Sequence, residues 1–248
     1  GKNIAVRSVD PEDPTTVQTP IIDGRQLGRV VTFESRETSA AMLAGFTIRN
    51  GSTIENGGGI LCSDHSRPTI SSNIITSNSA DRGGGISCWN SAPTIISNTI
   101  IANMAAGAGA GISAEHASFA IIRGNNIRQN TTVGFGAGIF NQHSSPVIEG
   151  NDIVSNTASG GMGPGIYIGS YSPLIIGNTI AYNVSQENGA DEGAGSGGAI
   201  ASDMYSSPII EDNIILGNRV GGHGGALYLE FGFPEVRNNL IEGNVARI

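Results

Sequence analysis

PTIISNTIIAN, residues 93–103, decides the fold: Pro93, Ile95, Asn98, Ile100 and Asn103 form one copy of a P-x-I-x-x-N-x-I-x-x-N skeleton that occurs seven times in 248 residues. The proline position is filled by Pro68, Pro93, Ala120, Pro146, Pro173, Pro208 and Pro234. The first asparagines are Asn73, Asn98, Asn125, Asn151, Asn178, Asn213 and Asn239; the second are Asn78, Asn103, Asn130, Asn156, Asn183, Asn218 and Asn244. Aliphatic columns run from Ile70 to Val236 and from Ile75 to Ile241. Ahead of each copy a glycine-rich turn ends at Ile60, Ile86, Ile112, Ile139, Ile166, Ile200 or Leu227, with spacings of 26, 26, 27, 27, 34 and 27 residues.

A period of this length means stacked supersecondary units. Helical repeats need apolar residues at 3.6 spacing over ten or more positions, whereas 37 glycines interrupt this chain and its apolar runs are short. A coil of about 26 residues divides into three short strands and three turns, and coils stacked about 4.8 Å apart pair each strand with its counterparts above and below. The expected fold is all-β: a single-stranded parallel β-helix of about nine coils. Inward Ile then lies on Ile in a narrow core, a pleated surface that suits branched side chains. The asparagines fall at corners, where an amide donates and accepts along the stack, so asparagine ladders are expected. Glycine allows positive φ at the opening turn, and proline stiffens the corner before the second strand.

The 248 residues read as one elongated domain, with degenerate N-terminal coils at 1–56 and seven regular coils at 57–248, in a rod on the order of 40 Å long. The front coils are marked by Ile4–Arg7, by Pro20–Gly24, by Val30–Phe33 and by Gly45–Gly51, and an acidic, proline-rich loop runs over residues 10–19. The chain stops before another glycine turn would begin, so a module of a longer protein or an end-to-end self-association is expected.

With the glycine turns and I-x-x-N corners in place, residues 20–248 resemble the right-handed parallel β-helix repeats of the pectate-lyase-like superfamily. Gly197-Gly198-Ala199-Ile200 and Gly224-Gly225-Ala226-Leu227 also resemble repeats of polymorphic outer-membrane adhesins, which carry F-x-x-N where this chain has Ile. The resemblance implies a secreted or cell-surface protein. It does not choose among lyases, hydrolases, epimerases, adhesins and stalks.

A net charge of −8, with 12 of 13 basic residues Arg, argues against nucleic acid and anionic membranes as partners. No apolar run is long enough for a membrane span. Cys62 and Cys88 are 26 residues apart and so occupy one position on adjacent coils, as stacked thiols or as a disulfide. On the outer face of the second strand, Arg123 with Glu149 and Glu211 with Arg237 are expected to pair laterally.

The first strand after the glycine turn carries the chemistry. With the turn Ile inward, two columns point out: Leu61, Ser87, Ser113, Phe140, Tyr167, Ala201, Tyr228, and Ser63, Trp89, Glu115, Gln142, Gly169, Asp203, Glu230. Near the strand end follow Asp64, His65, Asn90, His116, His143, Tyr171, Tyr205 and Phe231. Exposed rings mixed with carboxylates and amides suit carbohydrate, since rings stack on pyranose faces while polar groups take the hydroxyls. Trp89, Glu115, Phe140, Gln142, Tyr167, Tyr171, Asp203, Tyr205, Tyr228 and Glu230 are the candidate substrate-binding residues; a stripe of aromatics that merely stabilises neighbouring coils has the same pattern.

Asp203 and Glu230 sit one coil apart in one column and are the candidate acid and base of a polysaccharide lyase or glycoside hydrolase. Two solvated acids would look the same in sequence. His116 and His143 also stack, without an assured third metal ligand. The long spacing comes from residues 184–196, whose Glu187, Asp191 and Glu192 are candidate Ca²⁺ ligands but lack the spacing of a dedicated calcium loop. No other cofactor is expected. The sequence therefore points to an extracellular module that binds carbohydrate through its first-strand face, against the alternatives of an enzyme in the same groove and of an adhesin passenger or structural stalk.

Overall fold

A computed structural model describes residues 2–186, 197–203 and 205–247. The chain winds as a parallel β-helix whose strands build four parallel sheets. In the first regular coil the strands are Ile60–Cys62, Thr69–Ser71, Ile74–Thr76 and Ser79–Arg82. Among the described residues, the sheets made by the first to fourth strands hold eight, nine, nine and seven strands. Nine levels separated by eight steps make about eight turns rather than nine.

The fourth strand corrects the three-strand coil expected from sequence. After the second asparagine the chain stays extended, and Ser79, Met104, Thr131, Thr157, Val184, Arg219 and Val245 pair in register. Its inward residues are small, among them Ala80, Ala105, Thr132, Ala158 and Ser185, so no aliphatic column announces it.

Three strands of each coil do supply aliphatic columns. Ile60, Ile86, Ile112, Ile139, Ile166 and Ile200 stack along the first strand, joined by the series beginning Ile70 and Ile75, nearly all fully buried. Each such side chain contributes about 1.5–3 kcal/mol by leaving water. Cys62 and Cys88 are register partners in this core, both free thiols. The front coils also pair, Ala5–Arg7 with Met42–Ala44 and Val31–Phe33 with Ile60–Cys62. The acidic loop holds a four-residue helix, Pro14–Val17, capped by Asp13 and pinned by buried Val17.

Amide hydrogen bonds run along both asparagine columns. Asn98 Nδ2 donates to Asn125 Oδ1 at 3.0 Å and to Ile70 O at 2.9 Å, while Asn98 N–H donates to the same Oδ1. Asn130 repeats this with Asn156 and Ile100. These bonds satisfy corner backbone that the core shuts off from water.

Candidate functional site

Alternation along the first strand places the predicted columns on its outer face, yet most of the first column is covered. Phe140 and Tyr167 are 3% and 4% exposed, and Ser113 and Ala201 are also buried. The physical cause is the glycine turn, which folds back over the strand. A Cβ on Gly163 would lie 2.3 Å from Ile166 O and 3.0 Å from Tyr167 Cα, and one on Gly109 2.9 Å from Ser113 Cβ. Both glycines have positive φ, so only this residue type lets the turn lie so close. The expectation that Phe140 and Tyr167 are exposed is thereby corrected. They form a satellite apolar cluster with Ala108, Ala201, Met162 and Tyr228, with Phe140 and Tyr167 rings stacked at 5.3 Å and Phe135 4.9 Å from Tyr167.

Glu115 is likewise buried rather than displayed. Ser113 Oγ donates to its Oε1 at 2.5 Å, and the Arg82 guanidinium donates to Oε2. Arg82 also reaches Gln142 Oε1 at 3.4 Å and lies 5.5 Å from the Phe140 ring centroid. The sequence reading missed Arg82. It precedes the first glycine of its turn, in a column with Asn56, Ala108 and Phe135 whose members border the covered face. A lone arginine in that column was the available signal.

Toward the other end, two tyrosines hold the two candidate acids. Tyr167 Oη donates to Asp203 Oδ2 at 2.6 Å, and Tyr228 Oη donates to Glu230 Oε2 at 3.1 Å. Glu230 N–H donates to Ser202 O on the adjacent coil, which fixes the acids as neighbours. Asp203 is held above the ordinary carboxylate range, chiefly by burial and further by the Glu230 charge, against the lowering effect of the Tyr167 bond. The same burial and the Asp203 acceptor push the Tyr167 phenol up. Asp203 Oδ1 is shut off from solvent without a hydrogen-bond partner.

The exposed rings gather at the corner after the first strand. Asp64, His65, Asn90, His116, His143, Tyr171, Tyr205 and Phe231 all have φ between 47° and 71°, so the chain turns through the left-handed region there and throws these side chains outward. Trp89 and His116 centroids lie 3.8 Å apart, His116 and His143 5.8 Å, His143 and Tyr171 6.3 Å, and Tyr205 and Phe231 5.4 Å. Exposure is 37% at Trp89, 57% at Tyr171, 79% at Tyr205 and 58% at Phe231. A cleft lined by His65, Arg67, Asn90, Ser91, Ala92, Ala117 and Phe119 borders it.

The stacked coils have a counterpart among known proteins. A family model described as a right-handed beta helix region matches residues 28–180, more than half of the chain. The chain belongs to this right-handed beta helix family. No curated protein and no solved structure matches it.

Within this right-handed beta helix the predicted residues divide into three groups. Trp89, Tyr171 and Tyr205 lie on the exposed corner, whereas Phe140 and Tyr167 lie beneath the glycine turns and Glu115 is buried under Arg82. Gln142, Asp203, Tyr228 and Glu230 are partly exposed between them. Glu187, Asp191 and Glu192 lie outside the described residues. Among the described residues, no three His, Cys, Asp or Glu side chains group to hold a metal ion. The lateral pairs expected on the second strand are present, Arg123 with Glu149 at 2.6 Å and Arg237 with Glu211 at 2.9 Å.

Proposed function

We propose that the protein is a glycan-binding module of the cell surface or the extracellular space, and that it binds along the aromatic corner rather than on the covered face of the first strand. The observation that carries this reading is the run of exposed rings from Trp89 to Phe231, thrown outward by one left-handed turn per coil. Rings held on a rigid scaffold offer apolar area to pyranose faces at little entropic cost. Asn90 and the partly exposed Glu230 carboxylate supply hydroxyl partners beside them, and the cleft at Arg67 and Phe119 extends the surface.

The test is affinity electrophoresis over a panel of neutral, acidic and amino-sugar polysaccharides. Retention of the wild type that is lost in Trp89→Ala and Phe231→Ala supports the corner. Retention unchanged in both variants removes it.

A second reading is favoured by the raised Asp203 carboxyl beside Glu230. Asp203, its carboxyl raised by burial, stands one coil from Glu230, the arrangement of a candidate acid and base pair for cleaving a glycosidic bond. Release of reducing or unsaturated ends that disappears in Asp203→Ala selects this reading. Retention without product leaves the module as a binder.

A further inference from the structure

Two histidines are built into the aromatic corner. His116 lies on the Trp89 indole with 32° between ring planes, His143 follows on the next coil at 44°, and Tyr171 meets His143 edge-on at 83°. Both imidazoles are exposed. Their backbones are fixed, because His116 N–H donates to Gln142 O at 3.2 Å and His143 N–H donates to Gly169 O at 2.9 Å. Any rearrangement of this run is therefore a side-chain rotation on a rigid coil.

We infer that the four rings Trp89, His116, His143 and Tyr171 form a pH-sensitive element of the binding corner, which parts between His116 and His143 when both imidazoles are protonated. The consequence for glycan binding rests on the function proposed above; the parting itself belongs to the rings.

The charges around the two imidazoles set the direction. Trp89 and Asn90 face His116 from the preceding coil, and Tyr171 faces His143 from the following one. The charged groups on this flank are Asp64, which pairs with Arg36 at 3.9 Å, His65, whose N–H donates to Asn90 O, and Arg67 in the adjoining cleft. Glu115 precedes His116 in the chain but is buried and engaged with Arg82 and Ser113. No carboxylate among the described residues forms an ion pair with either imidazole.

Neutral imidazoles stack in this run at no charge cost. Once protonated, His116 is held over the indole face by a cation–π attraction. A second positive charge on the next coil, with no carboxylate between, is repelled, as like charges opposite each other on adjacent strands are. His143 has no indole of its own and is the ring that turns away. The run then ends after two rings, and a chain bound along it loses its middle.

Histidine titrates between pH 8 and 5, which sets the experiment. Trp89 is the only tryptophan, so its emission without ligand reports the His116 proton directly. The expected result is one drop in emission on acidification, absent from His116→Gln. In proton NMR the contact between the His116 and His143 rings should be present at pH 7.5 and lost at pH 5. Polysaccharide retention should fall on the order of threefold between pH 7.5 and 5 in the wild type and stay level in His143→Gln. Emission that is flat, or a drop that survives in His116→Gln, overturns the inference, as does a contact between the His116 and His143 rings that persists at pH 5. If no polysaccharide is retained at any pH the glycan reading fails, and the emission and NMR results still decide whether the rings part.

Discussion

Replacing Asn130 by alanine removes four hydrogen bonds at the middle of the rod. Asn130 Oδ1 accepts from Asn103 N at 3.0 Å and from Asn103 Nδ2 at 3.1 Å, and Asn130 Nδ2 donates to Ile100 O and to Asn156 Oδ1, each at 3.0 Å. The site is fully buried, so water does not replace what is lost. The Asn103 N–H and the Ile100 carbonyl are left without these partners, at about 1–3 kcal/mol for each orphaned group. Partial relaxation of the corner brings the expected total to about 3–5 kcal/mol. Urea denaturation followed by circular dichroism measures it, with Arg128→Ala, an exposed change on the same coil, as the control expected within about 0.5 kcal/mol. Asn130→Asp keeps the acceptor but loses both donated bonds and buries a charge, so it should be at least as destabilising at pH 7. If Asn130→Ala costs less than about 1 kcal/mol, the amide columns are not what closes the corners.

The remaining predictions concern the core, the turns and the acids. Burial pushes the Cys88 thiol up to about 12 and Cys62 well above its ordinary value, so an aromatic disulfide reagent at pH 8 should label neither thiol in the native protein and both in denaturant; rapid native labelling would contradict this. A Cβ at Gly138 would lie 2.5 Å from Gly165 O and 2.8 Å from Ile153 Cγ2, so Gly138→Ala should lower the urea midpoint by an amount equivalent to about 1–3 kcal/mol, and an unchanged midpoint would show that the coils can spread. The Asp203 carboxyl is raised in the folded state, so the stability it allows is present below its unfolded value and is lost as pH rises through the folded one. Asp203→Asn should therefore raise Tm at pH 7, with the gain vanishing below about pH 4; a lower Tm at pH 7 would mean that the ionised form is the favoured one.

Much of the architecture is legible in the sequence because stacking makes each inward position a column. Ile75, Ile100 and Ile127 announce their strand, Asn98 and Asn125 announce their corner, and Cys62 over Cys88 and Arg123 beside Glu149 follow from the period alone. The fourth strand escapes notice because its inward residues, such as Ala80 and Ser185, are small and varied. The site is less legible for a different reason. Alternation gives the face on which a residue lies, but what covers that face depends on where the next turn goes. Phe140 and Tyr167 are on the outer face and still buried, because Gly109 and Gly163 let the turn lie on it, and Glu115 is buried beside them under Arg82. Arg82 closes over Glu115 from the fourth strand of a preceding coil, a pairing across 33 positions whose one signal is a lone arginine in its column.

The central claim is that the exposed rings at the left-handed corner bind glycan. Tyr171 and Tyr205 stand on that corner, whereas Tyr182, 55% exposed, stands at a different one after the third strand. Affinity electrophoresis over the polysaccharide panel with the double variant Tyr171→Ala/Tyr205→Ala, with Tyr182→Ala as control, compares the two surfaces directly. At about 0.5–1.5 kcal/mol for each ring, the account predicts that the double variant loses roughly tenfold in affinity for a polysaccharide that retains the wild type and the control alike. Equal retention of all three proteins, or loss in Tyr182→Ala alone, would contradict it.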